Sequence, residues 1–161
     1  MYVQRTLSTI IKKSLESFSG VTITGPRQSG KTTLAKHLFP DAEYQSLENP
    51  DTRMLAIEDP RGFLGKDFPL MILDEIQNTP EILSYLQEIM DSTNRKFILT
   101  GSNQFSLINS ITQSLAGRTA TFTLLPFSMN ELSGMSFSSS AEDFILNGFY
   151  PSIYDKKRNP T

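Results

Sequence analysis

Eight consecutive residues, Gly25-Pro26-Arg27-Gln28-Ser29-Gly30-Lys31-Thr32, have the types and spacing of a loop that can hold phosphate. They match G-x-x-x-x-G-K-[ST] at every fixed position. Gly25 and Gly30 let the backbone turn in on itself, so that successive N–H groups point at one anion. The helix that follows adds the positive end of its dipole. Lys31 supplies a point charge for β- and γ-phosphates, and the Thr32 hydroxyl is a ligand for Mg²⁺. A glycine-rich turn with an incidental Lys-Thr is the bland alternative. Here, however, the pattern follows an apolar strand and opens a helix, which is the context the chemistry needs. The chemistry implied is binding of a nucleoside triphosphate, ATP with Mg²⁺, by Gly25, Pro26, Arg27, Gln28, Ser29, Gly30, Lys31, Thr32 and Thr33. Arg27 and Gln28 occupy free positions of the pattern and are expected to face solvent.

A second chemical segment is Leu70-Met71-Ile72-Leu73-Asp74-Glu75, four apolar residues and then two carboxylates. A buried strand of this kind delivers both carboxylates to the C-terminal edge of a parallel sheet, where open α/β sheets bind ligands. Asp74 is placed to hold Mg²⁺ through water. Glu75 is placed to accept a proton from the attacking water or to orient it. Taken alone, the pair reads as a polar strand end; the phosphate loop upstream is what favours the chemical reading. A third strand, Phe97 to Leu99, ends in Thr100-Gly101-Ser102-Asn103. Ser102 is the first candidate for a hydroxyl that senses the γ-phosphate, with Thr100 and Asn103 behind it; a helix cap is the alternative.

Arg118 follows Leu115-Ala116-Gly117 just past a helix end. It is a candidate for stabilising transition-state charge at a neighbouring subunit's γ-phosphate. The competing reading is a cation at a helix C-terminus. Leu132-Ser133-Gly134 resembles part of a transporter-type signature, but it follows the acidic strand instead of preceding it, and Met135 stands where a second glycine is expected. His37 reads as a helix-surface residue. Lys156-Lys157-Arg158 reads as a solvated tail.

The elements that must position these residues alternate. Residues 4–18 carry Leu7, Ile10, Ile11, Leu15 and Phe18 at helical spacing. Strands are expected at 21–24, 43–47, 70–73, 97–99 and 120–125. Helices are expected at 30–39, after Asn49-Pro50 through Met54, Leu55 and Ile57, after Thr79-Pro80 through Ile82, Leu83, Leu86, Ile89 and Met90, at 105–116 with Gly117 as its cap, and at 141–147. Ser128 and Glu131 have capping-box spacing, and 136–140 is a serine-rich loop. Alternating strands and helices predict a parallel sheet covered on both faces.

Composition sets the remaining bounds. The 161 residues are 38% hydrophobic and 20% charged, with net charge −2. This suits one globular domain and gives no overall basic field for nucleic acid. The absence of cysteine excludes disulfides and thiolate metal sites, and a single histidine excludes a multi-His metal site. No apolar run approaches the ~20 residues needed to cross a bilayer, and no signal peptide is visible, so no membrane contact and a cytoplasmic location are expected.

Together, the phosphate loop, Leu73-Asp74-Glu75-Ile76-Gln77, Leu99-Thr100-Gly101-Ser102, Leu115-Ala116-Gly117-Arg118 and Leu125-Pro126-Phe127 resemble the AAA+-type P-loop ATPases of bacteria and archaea. Asp59-Pro60 and Gly148-Phe149-Tyr150-Pro151 also fit, and the resemblance runs from about Leu7 to Tyr154. It implies an α/β P-loop NTPase fold, three-layered α/β/α, with a five-stranded parallel sheet of order 5-1-4-3-2. It implies Lys31 and Glu75 as catalytic, Thr32 and Asp74 as metal-holding, Ser102 as sensor and Arg118 as finger. Members of that group usually carry a further C-terminal domain. Residues 1–135 are therefore expected to be the ATPase core, and 136–161 a linker and the start of a missing or truncated C-terminal region. The expected activity is hydrolysis of ATP with Mg²⁺, with a homo-oligomer among the expected partners. The alternative is a nucleotide-dependent switch that binds a protein or DNA partner with little turnover. No acceptor-site or arginine-rich lid pattern follows the acidic strand, which argues against a small-molecule kinase.

Overall fold

Val21 and Ile23 alternate with Thr22 and Thr24, and no charged residue interrupts them, so the segment suits a strand covered on both sides. The computed structural model describes residues 2–65, 68–102, 109, 111, 113–133 and 148–156. In it β1 (Gly20–Thr24) is buried throughout. Around it, in chain order, stand α1 (Ser8–Ser17), α2 (Lys31–Leu38), β2 (Glu43–Ser46), α3 (Pro50–Glu58), α4 (Pro60–Leu64), β3 (Leu70–Asp74), α5 (Leu83–Ser92), β4 (Lys96–Gly101), β5 (Thr119–Thr123), α6 (Met129–Ser133) and α7 (Pro151–Lys156). The strands form one five-stranded sheet in the order β2-β3-β4-β1-β5. Every pairing is parallel. Read from the other edge, this is the expected order 5-1-4-3-2.

Successive side chains of a strand face opposite sides, and the core divides accordingly. Val21, Ile23, Ile72 and Ile98 pack with Ile11 of α1 and with Leu34, Ala35 and Leu38 of α2. Met71, Leu73, Phe97 and Leu99 pack on the other face with Ala56 of α3, Phe63 and Leu64 of α4, and Leu83, Leu86 and Met90 of α5. Helices thus cover both faces, and the parallel sense sends the ends of β1, β3 and β4 to one edge.

Several elements depart from expectation for local reasons. The first helix starts at Ser8 rather than Gln4, because Arg5 and the Thr6 amide are drawn to Glu131. Its Ile10 is exposed although the spacing placed it with the apolar set. Asn49 caps α3 as expected, accepting a hydrogen bond from the Asp51 amide at 2.9 Å. Yet Met54, Leu55 and Ile57 are exposed, and Ala56 makes the buried contact. Thr79-Pro80 does not open an α-helix. Thr79 makes no side-chain cap, Pro80–Ile82 form a single 3₁₀ turn, and α5 begins at Leu83. Proline supplies the helical φ but cannot impose the α register, and the buried Ile82 holds the tighter turn. Gly117, with φ +74, is left-handed as a C-cap requires. Most of the expected helix 105–116, the loop 136–140, the helix 141–147, Asn103, Gly134, Met135, Lys157 and Arg158 lie outside the described residues. Among the described residues no helix is long and apolar enough to cross a membrane.

Leu99 is fully buried in β4, beside β1. Leu99→Ala is expected to cost about 2–5 kcal/mol of unfolding free energy. Urea denaturation checks this, and a much smaller loss would show that this sheet face is not the packed core.

Candidate functional site

The chain leaves β1 at Thr24, whose carbonyl accepts from the Leu124 amide at 2.7 Å. Gly25 then turns at φ +148, and a Cβ there would lie 2.1 Å from the Leu124 carbonyl oxygen. No other residue fits without moving β5 away. Gln28 (φ +62) and Gly30 (φ +93) are also left-handed, which folds the loop around the α2 N-terminus. Lys31 is the first residue of α2 and only 4% exposed. Its Nζ donates to the carbonyls of Pro26 at 2.8 Å and Gly25 at 3.2 Å. Burial lowers its pKa, Glu75 and Asp74 oppose that, and Arg27 adds to it; the net shift is below the ordinary 10.5. A desolvated ammonium held by neutral carbonyls beside free helix-terminal amides is suited to an anion.

Asp74 ends β3 and is nearly buried. The Thr32 hydroxyl donates to its Oδ1 at 2.8 Å and Oδ2 at 3.0 Å. The Tyr44 phenol donates to Oδ2 at 2.9 Å, and the Thr100 hydroxyl is hydrogen-bonded to Oδ1. Among the described residues no group of three or more His, Cys, Asp or Glu gathers to cage a metal. One hydroxyl and one carboxylate beside a phosphate loop match Mg²⁺, which takes few protein oxygens and completes its shell with phosphate and water. These residues therefore fit the ion that the sequence implied.

Glu75 follows in a left-handed conformation, φ +58 and ψ +48. For a residue other than glycine this costs on the order of 1–3 kcal/mol. Its amide donates to the Thr100 hydroxyl at 3.3 Å. Its carboxylate accepts from the Ser102 hydroxyl at 2.9 and 3.1 Å and from the Gln77 amide. The strained turn separates the two carboxylates: Asp74 faces Thr32, whereas Glu75 lines a cavity of about 500 Å³.

Lys31, Thr32, Thr33, Gly30, Arg27, Gln28 and Ser102 line the same cavity. Arg27 and Gln28 are exposed, as expected, and stand at its mouth. Gly25, Pro26 and Ser29 lie behind the lining: Gly25 contributes the turn and the Pro26 carbonyl holds Lys31. The opposite wall was not anticipated as a site. It comprises Tyr2, Val3, Phe127, Pro151, Ser152 and Tyr154, from segments far apart in sequence. Phe127 and Tyr150-Pro151 carried part of the family resemblance, which was the available signal.

Arg5 joins those segments to the loop. It is 5% exposed and donates to the Ser29 carbonyl at 2.8 Å, the Leu125 carbonyl at 2.6 Å and Glu131 at 3.2 Å, with Phe127 beneath its guanidinium. Glu131 also accepts from the amides of Thr6 at 2.7 Å and Ser128 at 2.9 Å, and its own amide donates to the Ser128 hydroxyl. The expected capping box is therefore present and is shared with the N-terminal segment. Burial pushes the Glu131 pKa up, but the two amides and Arg5 together outweigh it, leaving the carboxyl below the ordinary 4.5.

Arg118 and His37 lie apart from the cavity. Arg118 sits at the start of β5, where its carbonyl accepts from the Gly20 amide at 3.0 Å. This is the sheet edge opposite the phosphate loop. Its guanidinium donates to both Asp91 carboxylate oxygens, at 2.6 and 2.7 Å. Arg118 thus does not meet its own chain's cavity. His37 is exposed on α2 and stacks on Tyr2 at 3.4 Å, which agrees with a surface role.

A family model described as an AAA domain matches residues 17–133. Proteins of Mycobacterium bovis and Mycobacterium tuberculosis, both called uncharacterised, are 31% identical over 159 residues, covering 92% of this chain. The chain spans about a third (34%) of their length. Among solved structures, a Walker-type ATPase of Pyrococcus abyssi superposes with TM-score 0.64 at 15% identity, over 93% of this chain and 65% of that one. The DnaC helicase loader superposes with TM-score 0.51 at 15% identity, over 76% and 93%. The Orc1 protein of Aeropyrum pernix, solved in complex with DNA, gives TM-score 0.59 at 11% identity, over 82% and 48%. At these identities the superpositions establish the shared fold.

The Arg5–Glu131 pair has a pH signature. A depressed carboxyl pKa contributes stability that is fully present above 4.5 and lost as pH falls through the folded-state value. Glu131→Gln is expected to cost about 1.5–3 kcal/mol at neutral pH, because the Arg5 guanidinium loses its charged acceptor. Its deficit relative to wild type should close as pH drops below 4.5. Denaturation across that range checks it, and a constant deficit would show that Glu131 titrates normally.

Proposed function

Because this chain belongs to the AAA-domain family of P-loop ATPases, we propose that it binds ATP with Mg²⁺ at the ends of β1, β3 and β4 and hydrolyses it to ADP and phosphate. The observation that carries this reading is the convergence of Lys31, Thr32 and Glu75 on one cavity, with Asp74 directly behind Thr32. In this reading Lys31 exchanges its carbonyl partners for phosphate oxygens. Thr32 and Asp74 would hold Mg²⁺, which would supply neutralisation of phosphate charge. Glu75 accepts a proton from water as the water oxygen bonds to the γ-phosphorus and the β–γ bridging oxygen leaves with its electron pair. Ser102 and Gln77 aim the Glu75 carboxylate. Tyr2, Val3, Phe127 and Pro151 offer an apolar wall for the nucleobase.

A second reading, a nucleotide-dependent switch with slow turnover, is favoured by the position of Arg118. Arg118 lies at the far edge of the sheet, and among the described residues the arginines that line the cavity are Arg27 and Arg5, the latter engaged by Ser29, Leu125 and Glu131. Transition-state charge would then be met fully only when a second copy supplies Arg118. The helicase loader and the DNA-bound Orc1 protein among the structural neighbours support a role coupled to a protein or DNA partner.

Nucleotide binding and single-turnover hydrolysis separate these readings. Lys31→Ala is expected to weaken ATP binding at least about tenfold, since charge-assisted contacts to phosphate are lost. Glu75→Gln is expected to retain binding and lose about 100-fold or more in hydrolysis. Hydrolysis indifferent to Glu75→Gln would sink the hydrolytic role, and binding without turnover at any protein concentration would leave the switch. For Arg118, wild-type turnover per chain should rise with protein concentration and the rise should vanish in Arg118→Ala. A concentration-independent rate equal in both proteins would remove the trans role.

A further inference from the structure

We propose that Tyr44 is a positioning residue of the metal site, fixing the rotation of the Asp74 carboxylate. The inference rests on the reading of Thr32 and Asp74 as the pair that holds Mg²⁺. A carboxylate on its single bond turns through a broad range of χ2 angles, so its donors decide where its lone pairs point. Thr32 alone does not decide this, because its hydroxyl lies 2.8 Å from one oxygen and 3.0 Å from the other. Thr100 engages Oδ1 from β4, and the Tyr44 phenol engages Oδ2 from β2 at 2.9 Å. The two donors approach from opposite sides of β3, so together they define the plane of the carboxylate. Each oxygen keeps a further lone pair. With the flanking donors in place, those left over face Thr32 and the phosphate loop.

Tyr44 is itself held in position. It pairs in register with Ile72, two residues before Asp74 and therefore on the same sheet face. The Lys36 ammonium lies 3.3 Å from its ring centroid. Lys36 stands one helical turn beyond Thr32 on α2, so the helix that carries the metal-holding hydroxyl also braces the phenol. A phenylalanine in place of Tyr44 would preserve the ring and its packing and remove only the phenol's hydrogen bonds, to Asp74 and to the neighbouring Ser46.

The test is equilibrium binding of a fluorescent ATP analogue to the full chain, titrated with free Mg²⁺ and repeated in EDTA. Partners that orient metal-binding groups typically change metal affinity by about 10–100-fold. Tyr44→Phe is expected to raise the Mg²⁺ concentration for half-maximal enhancement about tenfold and to leave affinity in EDTA within about twofold of wild type. An unchanged Mg²⁺ curve would overturn the proposal. So would an equal loss of affinity with and without Mg²⁺, which is the mark of a phenol that supports only the fold. Asp74→Asn distinguishes the two levels of the argument. If it abolishes the Mg²⁺ enhancement while Tyr44→Phe does nothing, the metal pair stands and Tyr44 alone is misassigned. If Asp74→Asn leaves the enhancement intact, the metal-pair reading fails and the inference with it.

Discussion

A nearly buried carboxylate with no direct ion pair among the described residues is the constraint on which this architecture turns. Asp74 is 5% exposed, and a charge so placed is costly unless its oxygens are satisfied. The donors are hydroxyls of Thr32, Tyr44 and Thr100, carried by α2, β2 and β4. Satisfying one side chain therefore sets the relative height of three strands and the helix after the phosphate loop. The arrangement also protects register. A one-residue slip of β2 would turn Tyr44 to the opposite face, where it could not reach Asp74. The cooperation of these groups explains how an edge strand with only half-buried residues keeps its alignment.

The strain at Glu75 belongs to the same logic. Two successive carboxylates leaving a regular strand would point to opposite faces of the sheet. The left-handed turn at Glu75 instead brings its carboxylate into the cavity, with Ser102 and Gln77 holding it there. The Thr100 hydroxyl links the two, accepting from the Glu75 amide and engaging Asp74. Backbone strain of this size persists where surrounding contacts over-determine it. Here the buried Ile76 immediately after Glu75 and the turn through Asn78 do so.

The N-terminal segment and the last described helix meet at the cavity. Arg5 ties the first to the phosphate loop and to the exit of β5. The Phe127 amide bonds the Phe149 carbonyl at 2.8 Å, and Phe127 meets the Tyr154 ring edge-on. Any ligand seated between these walls touches both segments at once, so its energy of binding acts on their docking as well as on the loop. Arg118 lies at the other edge of the sheet. If it serves a neighbouring site, the interface joins unlike surfaces of two chains, a head-to-tail arrangement that closes into a ring or continues as a filament.

The amino-acid sequence by itself determined the phosphate-loop pattern, and the strand order came with the family it resembles. The loop was legible because Gly25, Gly30, Lys31 and Thr32 act through local geometry, and the central strands because each is a short run buried along its length. Asn49-Pro50 and the Ser128–Glu131 capping box were legible for the same reason: each is closed within four residues. Thr79-Pro80 carried the same local signal and failed, since the packing of Ile82 selected a tighter turn. The tertiary structure alone decided the rest. Arg5 meets Glu131 across 126 positions, and Tyr44 meets Asp74 across 30. Neither side chain is marked by a neighbouring residue. A contact between distant segments leaves no periodicity in the chain, so only the fold brings the Asp74 donors and the far wall of the cavity together.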